Sequence, residues 1–166
     1  MKKLYLIRHA KSSWDNPKLI DFERPLNERG YRDAPLMGKF LKEEKIIPDL
    51  IISSPALRAY FTARTIASSI GYSLNKIRTS ELLYDSDAED IFEVVNSVKE
   101  KYNSLMLFGH NPALTQFSNY VSDKKIDNIP TTGFVEIEMN VTTWKEVVVD
   151  CGNIKRFLSP KILMNK

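Results

Sequence analysis

The sequence predicts an α/β fold over residues 1–166, a three-layer sandwich whose mixed, mainly parallel sheet is flanked by helices. Three observations predict it. Short apolar runs at residues 3–7, 50–52 and 104–108 have strand length and read as strands buried on both faces. Stretches of helical spacing or helix-start chemistry follow them. The last third changes to two-residue alternation, which adds antiparallel strands at an edge. No repeat, low-complexity tract or Gly/Ser linker interrupts the chain, so a single domain is expected.

Taken in order, the first strand leads into a loop through Trp14, Asn16 and Pro17, and the segment from Arg24 to Gly30 opens a helical region. Leu36, Met37, Phe40 and Leu41 lay an apolar stripe on that helix, and Pro35 either kinks it or marks a restart capped by Asp33. After the second strand, Ser54 is a suitable cap with Pro55 at the first helical position. Ser86 and Glu89 suggest a capping box ahead of Ile91, Val94, Val95 and Val98, a helix start that the acidic cluster Asp85, Asp87, Glu89 and Asp90 serves. Asn111 and Pro112 repeat the cap-proline arrangement after the 104–108 run. Phe134–Met139 and residues 144–149 read as a hairpin, and Phe157, Leu158, Ile162 and Leu163 give the tail apolar surface to dock.

Bulk properties exclude more than they assign. Lys and Arg number 24 against 21 Asp and Glu, a net charge of +3 without clustering, so neither nucleic acid nor an anionic membrane is expected as main partner. Cys151 stands alone, which rules out an intrachain disulfide and fits a reducing compartment; Lys2-Lys3 runs straight into a strand, so the expected location is the cytoplasm. A monomer is favoured. The acidic run from Asp85 fails as a calcium loop, with Asp90 at the sixth position and Asn96 at the twelfth, and no cofactor or metal is expected.

The chain has two histidines, His9 and His110, and each follows directly on a strand-like run. Ligands of open α/β sheets bind beyond the carboxyl ends of the strands, where helix N-termini converge. Arg58 lies just past the second run, so three segments deliver Arg8, His9, Arg58 and His110 to one cationic pocket suited to a phosphoryl group. Lys11 and Asn16 in the first loop read as solvated residues, and Trp14 and Tyr84 as packing aromatics or a substrate surface.

Those residues carry a resemblance. The segment Leu6-Ile7-Arg8-His9-Ala10 resembles the Arg-His-Gly signature of the histidine phosphatase superfamily, the phosphoglycerate mutase-like fold, with Ala10 in the place of the usual glycine. Residues 53–59 resemble its second motif, and Gly109-His110-Asn111-Pro112 its late histidine motif. Arg24-Pro25-Leu26 and Thr131-Thr132-Gly133 resemble the compact SixA-like phosphohistidine phosphatases. The resemblance implies a covalent phosphohistidine on His9, with Arg8, Arg58 and His110 binding the phosphoryl oxygens, Arg24 assisting, and no metal. It implies Glu81 as leaving-group acid, with Asp85 and Asp87 as alternatives. The expected partner is a phosphohistidine-bearing protein; a small phosphomonoester or mutase substrate is the alternative, and a non-catalytic phosphate-binding module the reading least favoured.

Overall fold

The computed structural model describes residues 1–165. Among them one six-stranded sheet runs in the order β3-β2-β4-β1-β5-β6. Its strands are β1 (Lys2–Arg8), β2 (Leu50–Ser53), β3 (Arg78–Thr79), β4 (Ser104–Gly109), β5 (Phe134–Met139) and β6 (Gly152–Leu158). β3, β2, β4 and β1 pair in parallel, while β5 is antiparallel to β1 and β6 to β5. The mixed, mainly parallel sheet that the sequence implies is therefore present. Helices α1 (Glu28–Glu43), α2 (Leu57–Ile70), α3 (Ala88–Asn96), α4 (Ala113–Val121) and α5 (Pro160–Met164) cover its two faces.

Strand alternation sorts the core into two layers. Leu4 and Leu6 of β1, with Leu105 and Leu107 of β4, pack on Ile91, Val94 and Val95 of α3 and Leu114 and Phe117 of α4. Tyr5, Ile7, Met106 and Phe108 point the other way, onto Met37 and Leu41 of α1 and Ala63, Ile66 and Ile70 of α2. Burial on both faces explains why these strands read as unbroken apolar runs instead of alternating ones.

Several local expectations are corrected. α1 runs unbroken through Pro35, and Asn27, not Asp33, caps it by accepting from Gly30 N–H. Pro35 lies on the exposed face of the helix, where its missing N–H removes one i→i−4 hydrogen bond away from the core. Asp33 is instead fully buried beneath Arg29 and Arg32, with ion pairs of 3.4 and 3.0 Å. The capping box of α3 is formed one residue later than Ser86 and Glu89, by Asp87 and Asp90, each accepting from the other's backbone N–H at 2.9 and 3.0 Å. α2 begins at Leu57, where Ser54 accepts from Ala56 N–H at 3.2 Å, and α4 begins after Pro112, with Asn111 Oδ1 accepting from Thr115 N–H.

The hairpin is the larger correction. The partner of β5 is β6, not residues 144–149. That β-branched run carries Trp144, which is fully buried and donates Nε1–H to Tyr102 O at 2.7 Å, so the segment folds as a tight turn that plugs the core. The expected tail is thus an edge strand followed by α5, docked through Leu158 and Leu163 onto the α1–α2 layer.

Register brings the site together. Arg8 pairs with Gly109, so the residues that follow, His9 and His110, leave neighbouring strand ends side by side; His9 N–H donates to Gly109 O at 3.1 Å. Ser53 pairs with Phe108, and Ser54 N–H donates to Phe108 O, which starts the Ser54–Arg58 turn beside them. The loop after β1 folds back under Gly30, where a Cβ would collide with the Lys11 carbonyl, and this close approach sets Asp21 and Arg24 against the same strand ends.

Candidate active site

His9 and His110 face each other with ring centroids 5.0 Å apart. His9 Nδ1 lies 2.8 Å from the Ala10 carbonyl. A carbonyl only accepts, so Nδ1 carries the proton and the neutral ring keeps a bare lone pair on Nε2. Burial, and then the charges of His110, Arg58 and Arg8, outweigh that hydrogen bond and push the His9 pKa down to about 3. Burial, Arg58 and Arg8 push His110 to about 4, with Asp21 opposing. Both rings are therefore neutral at physiological pH, the state a nitrogen nucleophile requires.

The arginines differ in what they have left to give. Arg8 donates NH1 to Ile129 O at 3.0 Å, and its buried Nε has no protein partner; burial lowers its pKa. Arg58, buried in the first turn of α2, donates NH1 to the Asp21 carbonyl at 2.7 Å and NH2 to Asp21 Oδ2 at 3.0 Å, and its Nε is likewise unpartnered. His110 Nε2 lies 2.8 Å from Ser54 Oγ, which leaves Nδ1 buried without a partner. Each nitrogen of Arg24 has a protein partner: Nε donates to Ser13 O, NH1 to Asp21 Oδ1 and NH2 to Ser12 Oγ, with its guanidinium 3.1 Å from the centre of the Trp14 ring. Its geometry is that of a clamp on the 12–24 loop.

Glu81 is exposed at the start of the tight turn Glu81–Leu83. The carboxylate whose charge reaches His110 is Asp21, a residue sequence reasoning did not single out. Asp21 Oδ2 also accepts from Tyr84 O–H at 2.8 Å, and the Tyr84 ring meets His110 edge-on at 5.6 Å between centroids. The only sequence signal was an acid three residues before Arg24 in a loop without periodicity. Thr132, noticed in the sequence only through its motif, holds the backbone at His9: its N–H donates to both Arg8 O and His9 O, at 2.9 and 3.1 Å. Its φ of 60° is strained for a β-branched residue, a conformation that persists only where surrounding structure imposes it. Ala10, in the usual glycine's place, is fully buried and donates its N–H to Thr62 Oγ1 at 3.0 Å.

Burial of two neutral histidines ties stability to pH. Each ring titrates near 6.5 when unfolded and near 3 to 4 when folded, so between those values the unfolded chain binds more protons and stability falls as pH drops. The urea midpoint should decrease from neutral pH to about pH 5, and His9→Asn, which removes one of the two contributions, should flatten the decrease. An equal decrease in both proteins would contradict the neutral, buried state of His9.

The histidine phosphatase superfamily (branch 1) model matches residues 4–107, a stretch that holds Arg8, His9 and Arg58 and ends just short of His110. The chain is 32% identical over 155 residues to phosphoserine phosphatase 1 of Hydrogenobacter thermophilus, covering 90% of this chain and 69% of that one. The structure of the protein histidine phosphatase SixA with tungstate superposes with a TM-score of 0.83 at 18% identity, covering 96% of this chain and 97% of that one. The Agrobacterium tumefaciens protein provisionally assigned as the phosphohistidine phosphatase SixA superposes at 0.79 with 26% identity, over 96% and 98%. No helix among the described residues is long and apolar enough to cross a membrane, and no group of three or more His, Cys, Asp or Glu there has the geometry to hold a metal ion. A superfamily match over 4–107, borne on a SixA-like sheet whose strand ends carry both histidines, makes this chain a member of branch 1 of the histidine phosphatase superfamily and a phosphatase.

Proposed function

We propose that the protein removes phosphate from phosphohistidine on a protein substrate in the cytoplasm, carrying the phosphoryl group transiently on His9. The observation that carries this reading is the set of three buried donors without a protein partner, Arg8 Nε, Arg58 Nε and His110 Nδ1, beside the bare Nε2 of His9. Buried donors left unmet cost stability, and a phosphoryl group has oxygens to meet all three. Ser54 Oγ already accepts from Ala56 N–H and is free to give its own proton to His110 Nε2, which leaves the N–H of His110 on Nδ1. The His9 lone pair forms a bond to phosphorus as the leaving group departs, and water then releases phosphate. The arginines and His110 stabilise charge on the equatorial oxygens in both steps.

Likeness to SixA supports a protein substrate, as does a mainly apolar groove of about 520 Å³ lined by Leu19, Phe22, Pro25, Tyr60 and by Pro55 and Leu57, which lead into Arg58 in the chain. The phosphoserine phosphatase relative supports the second reading, a small phosphomonoester. For an ester we assign leaving-group protonation to Glu81 from its motif position; an imidazole departs with less help. Turnover of a phosphohistidine-bearing protein, an aryl phosphate and phosphoglycerate by one preparation separates the readings. The proposal expects the phosphohistidine protein to have the highest kcat/KM, and preference for phosphoglycerate would overturn it.

A further inference from the structure

The pocket that binds an anion contains an anion of its own. Asp21 is held by one near neighbour and two distant parts of the chain: Arg24 NH1 donates to Oδ1 at 3.1 Å, and Arg58 NH2 and Tyr84 O–H donate to Oδ2 at 3.0 and 2.8 Å. Burial works against its charge, but the hydrogen bonds from Tyr84, Arg58 and Arg24 prevail and hold its pKa near 2. An acid that strong stays ionised at neutral pH and cannot protonate a leaving group. The Asp21 side chain is nonetheless 48% exposed, and a carboxylate has about four acceptor directions, of which three are used.

A fixed negative charge on the phosphate-binding arginine repels a phosphoryl dianion. It becomes favourable when the substrate brings a hydrogen-bond donor or a positive charge next to the phosphorus. A phosphohistidine protonated on the ring nitrogen remote from phosphorus brings both. An aryl or alkyl ester oxygen brings neither.

We propose that Asp21 selects the leaving group, accepting a hydrogen bond from the protonated imidazole of the phosphohistidine substrate. This rests on the phosphohistidine reading above. As His9 Nε2 bonds to phosphorus, the substrate's P–N bond breaks and its electron pair becomes a lone pair on that nitrogen. The imidazole departs neutral, its proton still on the remote nitrogen beside Asp21. No external acid takes part in this step, which agrees with the exposed position of Glu81.

The test is Asp21→Asn, read as the ratio of kcat/KM for a phosphohistidine peptide to kcat/KM for p-nitrophenyl phosphate. Any loss through a displaced Arg58 affects both substrates and cancels in the ratio. The ratio should fall about tenfold or more, the worth of one charge-assisted hydrogen bond. An unchanged or increased ratio would show that Asp21 merely braces Arg58, and would overturn the inference while leaving phosphohistidine as substrate. A wild-type enzyme that cleaves the aryl phosphate and not the peptide would overturn the substrate reading, and this inference with it.

Discussion

His9→Ala eliminates turnover while the fold persists. The substitution removes the atom proposed to bond to phosphorus, and loss of a nucleophile in covalent catalysis costs about ten-thousandfold or more in kcat, because what remains is electrostatic stabilisation and binding. The fold should tolerate it. His9 contributes one side-chain hydrogen bond, to the adjacent Ala10 carbonyl, while its backbone stays tied to Gly109 O and Thr132 N–H. The checks are kcat on the best substrate and the urea midpoint of the same preparation. A midpoint that collapses together with activity would make His9 a structural residue.

Arg58→Ala lowers kcat on the order of a hundredfold, comparable to removing one oxyanion donor from a preorganised site. The loss belongs in kcat as well as in kcat/KM, since the Arg58 fork stabilises charge that spreads during transfer. Arg58→Lys should not restore it, because a lysine has a single flexible ammonium, whereas Arg58 holds Asp21 through NH2 and keeps Nε unpartnered for the proposed phosphoryl oxygen. Wild-type kcat in Arg58→Ala would place this side chain outside the chemistry, leaving it as an anchor for the Asp21 loop.

The strand ends were legible in the sequence because their signals are local. An apolar run followed at once by His9 or His110, or by Pro55 and Arg58, already contains the strand, the turn and the side chain. Cap positions were blurred, since Ser86, Asp87, Glu89 and Asp90 are all competent capping residues and only the backbone selects Asp87 and Asp90. The run at 144–149 misled for a physical reason: β-branched composition suits a strand, whereas Trp144 is needed in the core and takes the chain out of the sheet. The true edge strand starts at Gly152, where a Cβ would press on Ile137 and Met139, a constraint invisible before the strands are paired. Tyr84 was noticed as an aromatic, but Asp21 and the link between Asp21 and Tyr84 were out of reach for a related reason. Their hydrogen bond spans 63 residues and joins two loops, so no spacing rule relates them. Arg24 was noticed through its motif, but its role as a clamp on Ser12, Ser13 and Asp21 depends on the folded loop.

The central claim is that His9 Nε2, bare and neutral because Nδ1 donates to Ala10, carries the phosphoryl group. The direct measurement is a rapid quench under alkaline conditions, where phosphohistidine survives, after mixing enzyme with phosphorus-labelled substrate, followed by mapping of the labelled peptide. The account predicts label on His9, bonded at Nε2, appearing and disappearing at rates compatible with turnover. Label on His110 or on a serine, with none on His9, would contradict it.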